Sequence, residues 1–489
     1  MKKTRLFLTV YFLMCTVFTH ASAQHELNFC WKKQVRPLGE NYLEFSFKSS
    51  NSFLYHSFEP WQKVTSRAAG IVAIHAQNFV KSDSTISGKK VYFSKVHYDS
   101  AQLLQQNYGQ TALANVTKSD HQDYLLETAR YSPIALIHHF KKNGAHATLS
   151  KRGDTAMYSL NINTTFVTLF IRIQDNLLEK ITLLNNKDFY GFYGDVLTTI
   201  TYHDYYSAEG LSFPKTVAIN KMDGRLLDTI LISDTRFVKS IEPVLKKPET
   251  FTWKAETPDS PSKVSTQTFT KNIHFVNLDH SGARSMIVEF KDFLLIANAA
   301  LTSENGELVL KEAKKIAPQK PVKYFAFGHF HNWYTGGVRA FVHKGTTILC
   351  QPHNKDYIQY IAEAPHTIQP DSQQLQPKEI VIQVFKDSLT ISDNEFEMKI
   401  YMIGSKSEHT NDFSIFYFPS EQLLFEDELM WIDREGAITK ANPRQKGLYN
   451  AIKDLGLNVK TIVKSWPINN PKVKDIIPFS DLEVSVKIE

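Results

Sequence analysis

Short runs in which apolar and polar residues alternate dominate the first half of this chain. From Ala156 they follow one another as Met157–Ile162, Phe166–Ile173, Leu178–Leu184, Val196–Tyr202, Val217–Asn220 and Thr229–Phe237, parted by turn-prone pairs such as Asn185-Asn186 and Asp223-Gly224. A period of two bounded by turn residues predicts half-buried strands joined as an antiparallel meander. Ser132–Lys142, with Pro133 early, predicts a short amphipathic helix before it. The texture changes beyond a stretch rich in proline, serine and charge at 246–268. There Ile273–Val276, Ser285–Phe290, Phe293–Asn298, Tyr324–Phe327 and Thr347–Cys350 predict strands, and Glu307–Ile316 and Val338–Lys344 predict helices. Strands at Ile380–Phe385, Leu389–Ile391, Glu397–Met402, Ser414–Phe418, Gln422–Phe425 and Thr461–Val463 follow, with a helix near Arg444–Leu455. Hairpin-linked strands mixed with helices indicate a layered α/β sandwich rather than a doubly wound sheet.

The ends and the composition narrow the setting. Lys2, Lys3 and Arg5 precede the apolar Leu6–Phe18, and Ala21-Ser22-Ala23 stands before Gln24, the pattern of a cleaved export signal over 1–23. Later apolar runs fall short of the ~20 residues of a membrane helix. An exported, periplasmic or secreted chain is expected. The formal charge of +6 falls to +3 without the leader, and basic runs are missing, which argues against nucleic acid as a partner. Beyond Cys15 in the leader only Cys30 and Cys350 remain; two unpaired buried thiols are expected rather than a disulfide framework. The division expected is a β-rich domain over 24–245, a linker over 246–268 and a second domain over 269–489.

Candidate chemistry concentrates in Gly328-His329-Phe330-His331-Asn332-Trp333-Tyr334-Thr335-Gly336-Gly337. In an extended segment side chains two apart point the same way, so His329 and His331 can reach one ion. His409, in Glu408-His409-Thr410-Asn411-Asp412, offers a third imidazole before another apolar strand. Three neutral imidazoles are a zinc ligand set that leaves a fourth position open. His138-His139 diverge by about 100° if helical, and His203 and His353 read as surface residues. Nucleophile-elbow, P-loop, Cys-x-x-Cys and EF-hand patterns do not occur.

In this order the motifs resemble the metallo-β-lactamase-fold metallohydrolases. The resemblance runs over about 270–470. It covers the strand pair with Ser285–Phe290, the His329-x-His331 loop with Gly336-Gly337, His409-Thr410-Asn411-Asp412 leading to Tyr417–Pro419, the acidic Glu426-Asp427-Glu428, and the late strand Val459–Val463. It implies an α/β architecture, a four-layer αββα sandwich preceded by the β-rich meander. The helix-on-meander pattern in turn resembles, at fold level, a half-barrel of lipoprotein-carrier type. By the resemblance His329, His331 and His409 would bind one zinc ion. The second ion's ligands would fall on Trp333, Tyr334 and Trp466, so that the second site is dismantled. Glu428 would stand at the carboxylate position as a candidate base, with Tyr334 and Asn332 as candidate donors to a developing anion.

Three readings stay open. The first is a mononuclear zinc hydrolase of a small-molecule substrate. The second is an inactive member of the fold kept as a binding or scaffold module. The third gives the meander the leading part, with an apolar ligand on its concave face.

Overall fold

The computed structural model describes residues 24–54, 56–258 and 261–488; the expected export signal lies outside the described residues. Strands β1 (Tyr42–Leu54) and β2 (Lys63–His75) begin an open antiparallel sheet of twelve strands that ends with Leu226–Val238. Its last strand returns to pair with β1, so the chain runs from the centre out to one edge, crosses to the other edge and works back inward. The edges are Gln102–Gln106 and Thr148–Arg152, and the chain between them forms the helices Lys118–Thr128 and Ile134–Asn143. Together with His25–Gln34 these helices lie on one face of the sheet. Alternation explains the arrangement: Phe45, Phe47, Val72, Ile74, Phe79, Leu169, Ile171 and Val217 point inward and meet Leu27, Leu136, Ile137 and Phe140.

The six predicted meander strands lie at 155–238; four keep close to their expected limits, while Val196–Ala208 and Leu211–Lys221 extend well beyond the expected Val196–Tyr202 and Val217–Asn220. The first five strands and the helix Lys118–Thr128 were not predicted. Cys30 and Cys350 are both free and buried. The concave face is filled by helix side chains, and the cavity left beside them, about 760 Å³, is lined by Ser49, Lys81, Ser94, Asp123, Glu127 and Thr198 among others. Val96, Leu103, Leu126 and Ile200 line it as well, so the cavity is of mixed character.

The second domain contains a seven-stranded sheet running from Val264–Thr268 to Val381–Val384 and a six-stranded sheet from Ser388–Ser392 to Ile476–Pro478. The sheets face each other across a dry layer in which Phe275, Met286, Val288 and Leu295 meet Met398, Phe416, Phe418 and Phe425. Ser303–Ile316, Val338–Lys344 and Lys355–Glu363 cover the first sheet, and Pro443–Asp454 and Phe479–Lys487 cover the second. The result is the expected four-layer αββα sandwich. Helix Val338–Lys344 has its predicted limits. The expected linker 246–268 ends instead in an edge strand, Val264–Thr268, paired with Ile273–Leu278. Its Val-Ser-Thr-Gln-Thr sequence has no apolar alternation because an exposed edge requires none.

The domains share one apolar cluster. Leu54, Tyr190, Tyr193, Val196 and Leu226 of the first domain belong to the same buried group as Phe330, Tyr334 and Tyr357 of the second. Asp195 N–H donates to the Pro365 carbonyl at 2.7 Å and the Asp195 carboxylate accepts from Thr367 Oγ1 at 2.6 Å. Truncating a fully buried ring between the two sandwich sheets removes its contacts on both sides, so Phe275→Ala should cost about 3–5 kcal/mol. Chemical denaturation should show the transition of the second domain moved to lower denaturant.

Candidate metal centre

Four loops at one end of the sandwich bring the ionisable residues together. Strand Val322–Ala326 delivers Gly328 to His331, and Ser414–Phe418 is preceded by the turn carrying His409. Leu423–Glu426 runs directly into Asp427 and Glu428, and Thr461–Lys464 into Ser465 and Trp466. A buried polar turn sets His409: the Ser407 hydroxyl accepts from the His409 and Thr410 N–H groups at 3.2 Å. Gly336 and Gly337 serve close approach rather than unusual dihedrals, since a Cβ on Gly337 would meet Ala299 Cβ at 2.7 Å.

The rings of His329, His331 and His409 converge, with centroids 4.5 Å (329–331), 4.8 Å (329–409) and 5.1 Å (331–409) apart. The donors that lie within 4.8 Å of one another belong to His56, His331, His409 and Glu428. His329 stands just outside that set, with Nδ1 2.6 Å from Asp427 Oδ2 and Nε2 2.9 Å from His331 Nδ1. Nε2 of His331 lies 3.4 Å from the Ser57 carbonyl. Burial drives the Asp427 carboxyl well above its usual range, with Asn298 opposing through a 2.7 Å hydrogen bond. With Asp427 protonated, hydrogens run from Asp427 through His329 and His331 to Ser57. With Asp427 ionised, His329 Nδ1–H donates to it, and the bare His329 Nε2 accepts from the Nδ1–H tautomer of His331 or is free to ligate an ion.

Glu428 is the hub. Its Oε1 lies 2.5 Å from His409 Nε2, 3.4 Å from His56 Nε2 and 3.3 Å from Arg444 Nη1, and Oε2 accepts from the Tyr334 hydroxyl at 3.0 Å. Burial opposes its charge, but His409 and His56 outweigh burial and hold the carboxyl well below the usual range. Burial, followed by the nearby His56 and His409, brings His331 down to about 3. Burial likewise lowers His329 strongly, and lowers His409 against the pull of Glu428. The imidazoles are therefore neutral, the form that ligates metal. Burial and the charges of Glu428 and Asp427 push Tyr334 well above its ordinary value, so it remains a donor.

The donor set fits a metal ion. Donor atoms of His56, His331, His409 and Glu428 all lie within 4.8 Å of one another. His409 Nε2 pairs with Glu428 Oε1 at 2.5 Å, and a divalent ion can take the place of the proton they share. Imidazoles with one carboxylate suit zinc.

The other candidates occupy different places. Asn332 begins the short helix Asn332–Thr335, and its carbonyl accepts from Leu301 N–H at 2.8 Å, while its side chain forms no hydrogen bond with the described residues of the cluster. Trp333 and Trp466 pack edge to face at 6.0 Å, and Trp431 lies 6.1 Å from Trp466. His138 and His203 are far from the cluster, in the helix Ile134–Asn143 and the strand Val196–Ala208. The sequence reading missed His56, a lone histidine between two strands, without any motif to mark it.

No family model matches the chain, and no curated protein matches it. Among solved structures the chain is similar to a metallo-beta-lactamase from Pontibacter korlensis at 15% identity, covering 45% of this chain and 96% of that one, with a TM-score of 0.34. It is similar to the metallo-beta-lactamase FIM-1 from Pseudomonas aeruginosa in the mono-zinc form at 17% identity, covering 48% and 96%, with a TM-score of 0.33. A metallo-beta-lactamase from Hirschia baltica gives 16% identity, 45% and 95% coverage and a TM-score of 0.32.

Two predictions arise from this geometry. A Cβ on Gly328 would collide with the Asp427 carboxylate, so Gly328→Ala should cost about 1–3 kcal/mol as overpacking, read as a lowered midpoint of thermal unfolding. Asp412 is fully buried and burial raises its carboxyl to about 6 against the help of Asn354 at 2.7 Å. A raised folded-state value means the native protein binds the proton more tightly, so this residue's contribution falls as pH rises from about 4 through 6. The stability of the wild type relative to Asp412→Asn should therefore increase as pH is lowered from 7 to 5, measured as the difference between two denaturation curves.

Proposed function

We propose that this chain, whose carboxy-terminal half has the metallo-β-lactamase fold, is an exported hydrolase of a small molecule built around a single divalent metal ion, zinc by donor type. The observation that carries the reading is the convergence of the His331, His409, Glu428 and His56 donors within 4.8 Å of one another, with His409 Nε2 2.5 Å from Glu428 Oε1. His331, His409 and Glu428 would hold the ion, joined by His329 through Nε2 when that nitrogen carries no proton. An ion held there supplies Lewis acidity to a carbonyl or phosphoryl oxygen and lowers the pKa of water toward neutrality.

The chain's own groups divide the remaining work. Asp427 holds the His329 ring in place, and His329 in turn orients His331. Tyr334 donates to Glu428 and fixes its second oxygen, so Glu428 acts as an anchor rather than a free base. Arg444, at 3.3 Å, balances the carboxylate's charge from the rim. Trp333 and Trp466 take the space that a second ion's ligands would need, which supports a one-ion site. Asn332, with no bond to the cluster, remains available to a bound substrate as a donor.

A second reading is a binding module of the same fold, and the loop of the first domain lying over the cluster favours it: Ser57 caps His331, and His56 packs on the same ring.

Metal analysis of the purified full-length protein should give about one zinc per chain. His331→Ala and His409→Ala should each weaken binding by at least roughly 100-fold, more than the loss of a supporting outer contact. Hydrolysis of an ester, thioester, lactam and phosphodiester panel should disappear with chelator and return with zinc. A metal-free wild-type protein would sink the reading; a metal-loaded protein inert on the panel would favour the binding module.

A further inference from the structure

We propose that His56, carried by the amino-terminal domain, is itself a ligand of the metal, so that one ion fastens the two domains together and closes the site. The inference rests on the single-metal reading above and goes beyond it, because no residue of the first domain belongs to the sandwich.

The connection that bears His56 is longer than the three hairpin turns that follow it. The next three connections, after His75, Ser87 and Asp99, are two-residue turns, whereas β1 and β2 are joined by the eight residues 55–62. A two-residue turn suffices to reverse an antiparallel pair, so the added length is not needed by the sheet itself. It reaches the other domain and is fixed there at several points. The Asn411 N–H donates to the Phe58 carbonyl at 2.8 Å, and Asn411 Nδ2 donates to Glu59 Oε1 at 2.7 Å. The indole of Trp61 donates to Asp356 Oδ2 at 2.8 Å, stacks on Tyr193 at 5.5 Å and lies 3.9 Å beneath the Arg225 guanidinium. These contacts place the loop on both sides of the His409 turn and the His331 ring.

Within that frame His56 is aimed. Its side chain is 42% exposed, yet its Nε2 faces Glu428 Oε1 at 3.4 Å. Its ring lies 3.9 Å from that of His331 and 5.0 Å from that of His409. It is one of the four donors within 4.8 Å of one another. Four donors each about 2.0–2.1 Å from one ion stand roughly 3.3 Å apart in a tetrahedron; the His56–Glu428 pair is already at 3.4 Å, while the 2.5 Å His409–Glu428 pair would open and the widest pairs would close around an ion. His56 also lies on the solvent side of the other three, where the open position of a three-ligand site would be. Substrate then reaches the ion only when the loop releases His56, and binding the ion rigidifies the interface between domains.

Cobalt(II), titrated into the full-length protein and followed by its d–d absorption, tests the proposal. Competition with a chromophoric chelator gives the affinities of wild type, His56→Ala and His331→Ala. Circular dichroism checks folding, which a partly exposed loop residue should leave intact. His56→Ala should bind at least about 10-fold more weakly, with an altered absorption envelope. Limited proteolysis gives a second readout: metal should protect residues 56–62 from cleavage in the wild type and not in His56→Ala. If His56→Ala keeps the wild-type affinity, spectrum and protection while His331→Ala loses the ion, the loop ligand is refuted and the single-metal site stands. If the wild type takes up no cobalt, the underlying site fails and this proposal with it.

Discussion

Three consecutive carboxylates, Glu426, Asp427 and Glu428, are buried at the end of one strand, and most of the surrounding architecture answers to that constraint. Burying even one ionised carboxyl costs several kcal/mol unless donors or cations meet it. Each of the three is met differently. Glu426 accepts the backbone N–H groups of Leu429 and Met430 and faces Lys464, yet burial still raises it to about 7. Asp427 turns to Asn298 and His329. Glu428 collects His409, His56, Tyr334 and Arg444. The alternation of side chains beyond a strand end sends neighbouring carboxylates to different partners, so one short segment organises both the support behind the cluster and its front.

The site is a junction between domains rather than a pocket within one. The apolar cluster shared by Leu54, Tyr193 and Tyr357 fixes the relative position of the two sheets, and on that base a loop eight residues long reaches histidines hundreds of positions later. A rigid interface matters because the placement of donors around an ion tolerates errors of only a few tenths of an ångström. Trp61, clamped between Arg225 and Tyr193, anchors the loop a few residues from His56.

The tryptophans give the site its asymmetry. Trp333, Trp431 and Trp466 pack edge to face, and the Trp431 indole donates to the Glu428 carbonyl at 2.9 Å, so large apolar rings border the ionisable groups. An indole offers only an N–H donor and no lone pair for a metal. The electrostatics therefore converge on a single centre.

The alternation of apolar residues, the Gly-bounded His329-x-His331 segment and the order of His409 and Glu428 determined the layered fold, most strand positions in the second half and two of the imidazoles beside the cluster's carboxylate. Those features are legible because secondary structure and short motifs depend on neighbours in sequence. The first five strands carry many serine, lysine and threonine residues, as in Lys48-Ser49-Ser50-Asn51-Ser52 and Lys81-Ser82-Asp83-Ser84, which interrupt the apolar alternation although Phe45, Phe47, Val72 and Phe79 of the same strands enter the core. Only the tertiary structure decided that His329 turns to Asp427, that both oxygens of Glu428 are engaged, and that His56 joins the cluster. The His329–Asp427 and His56–Glu428 contacts depend on the packing of segments 98 and 372 residues apart, a relation that no local pattern encodes.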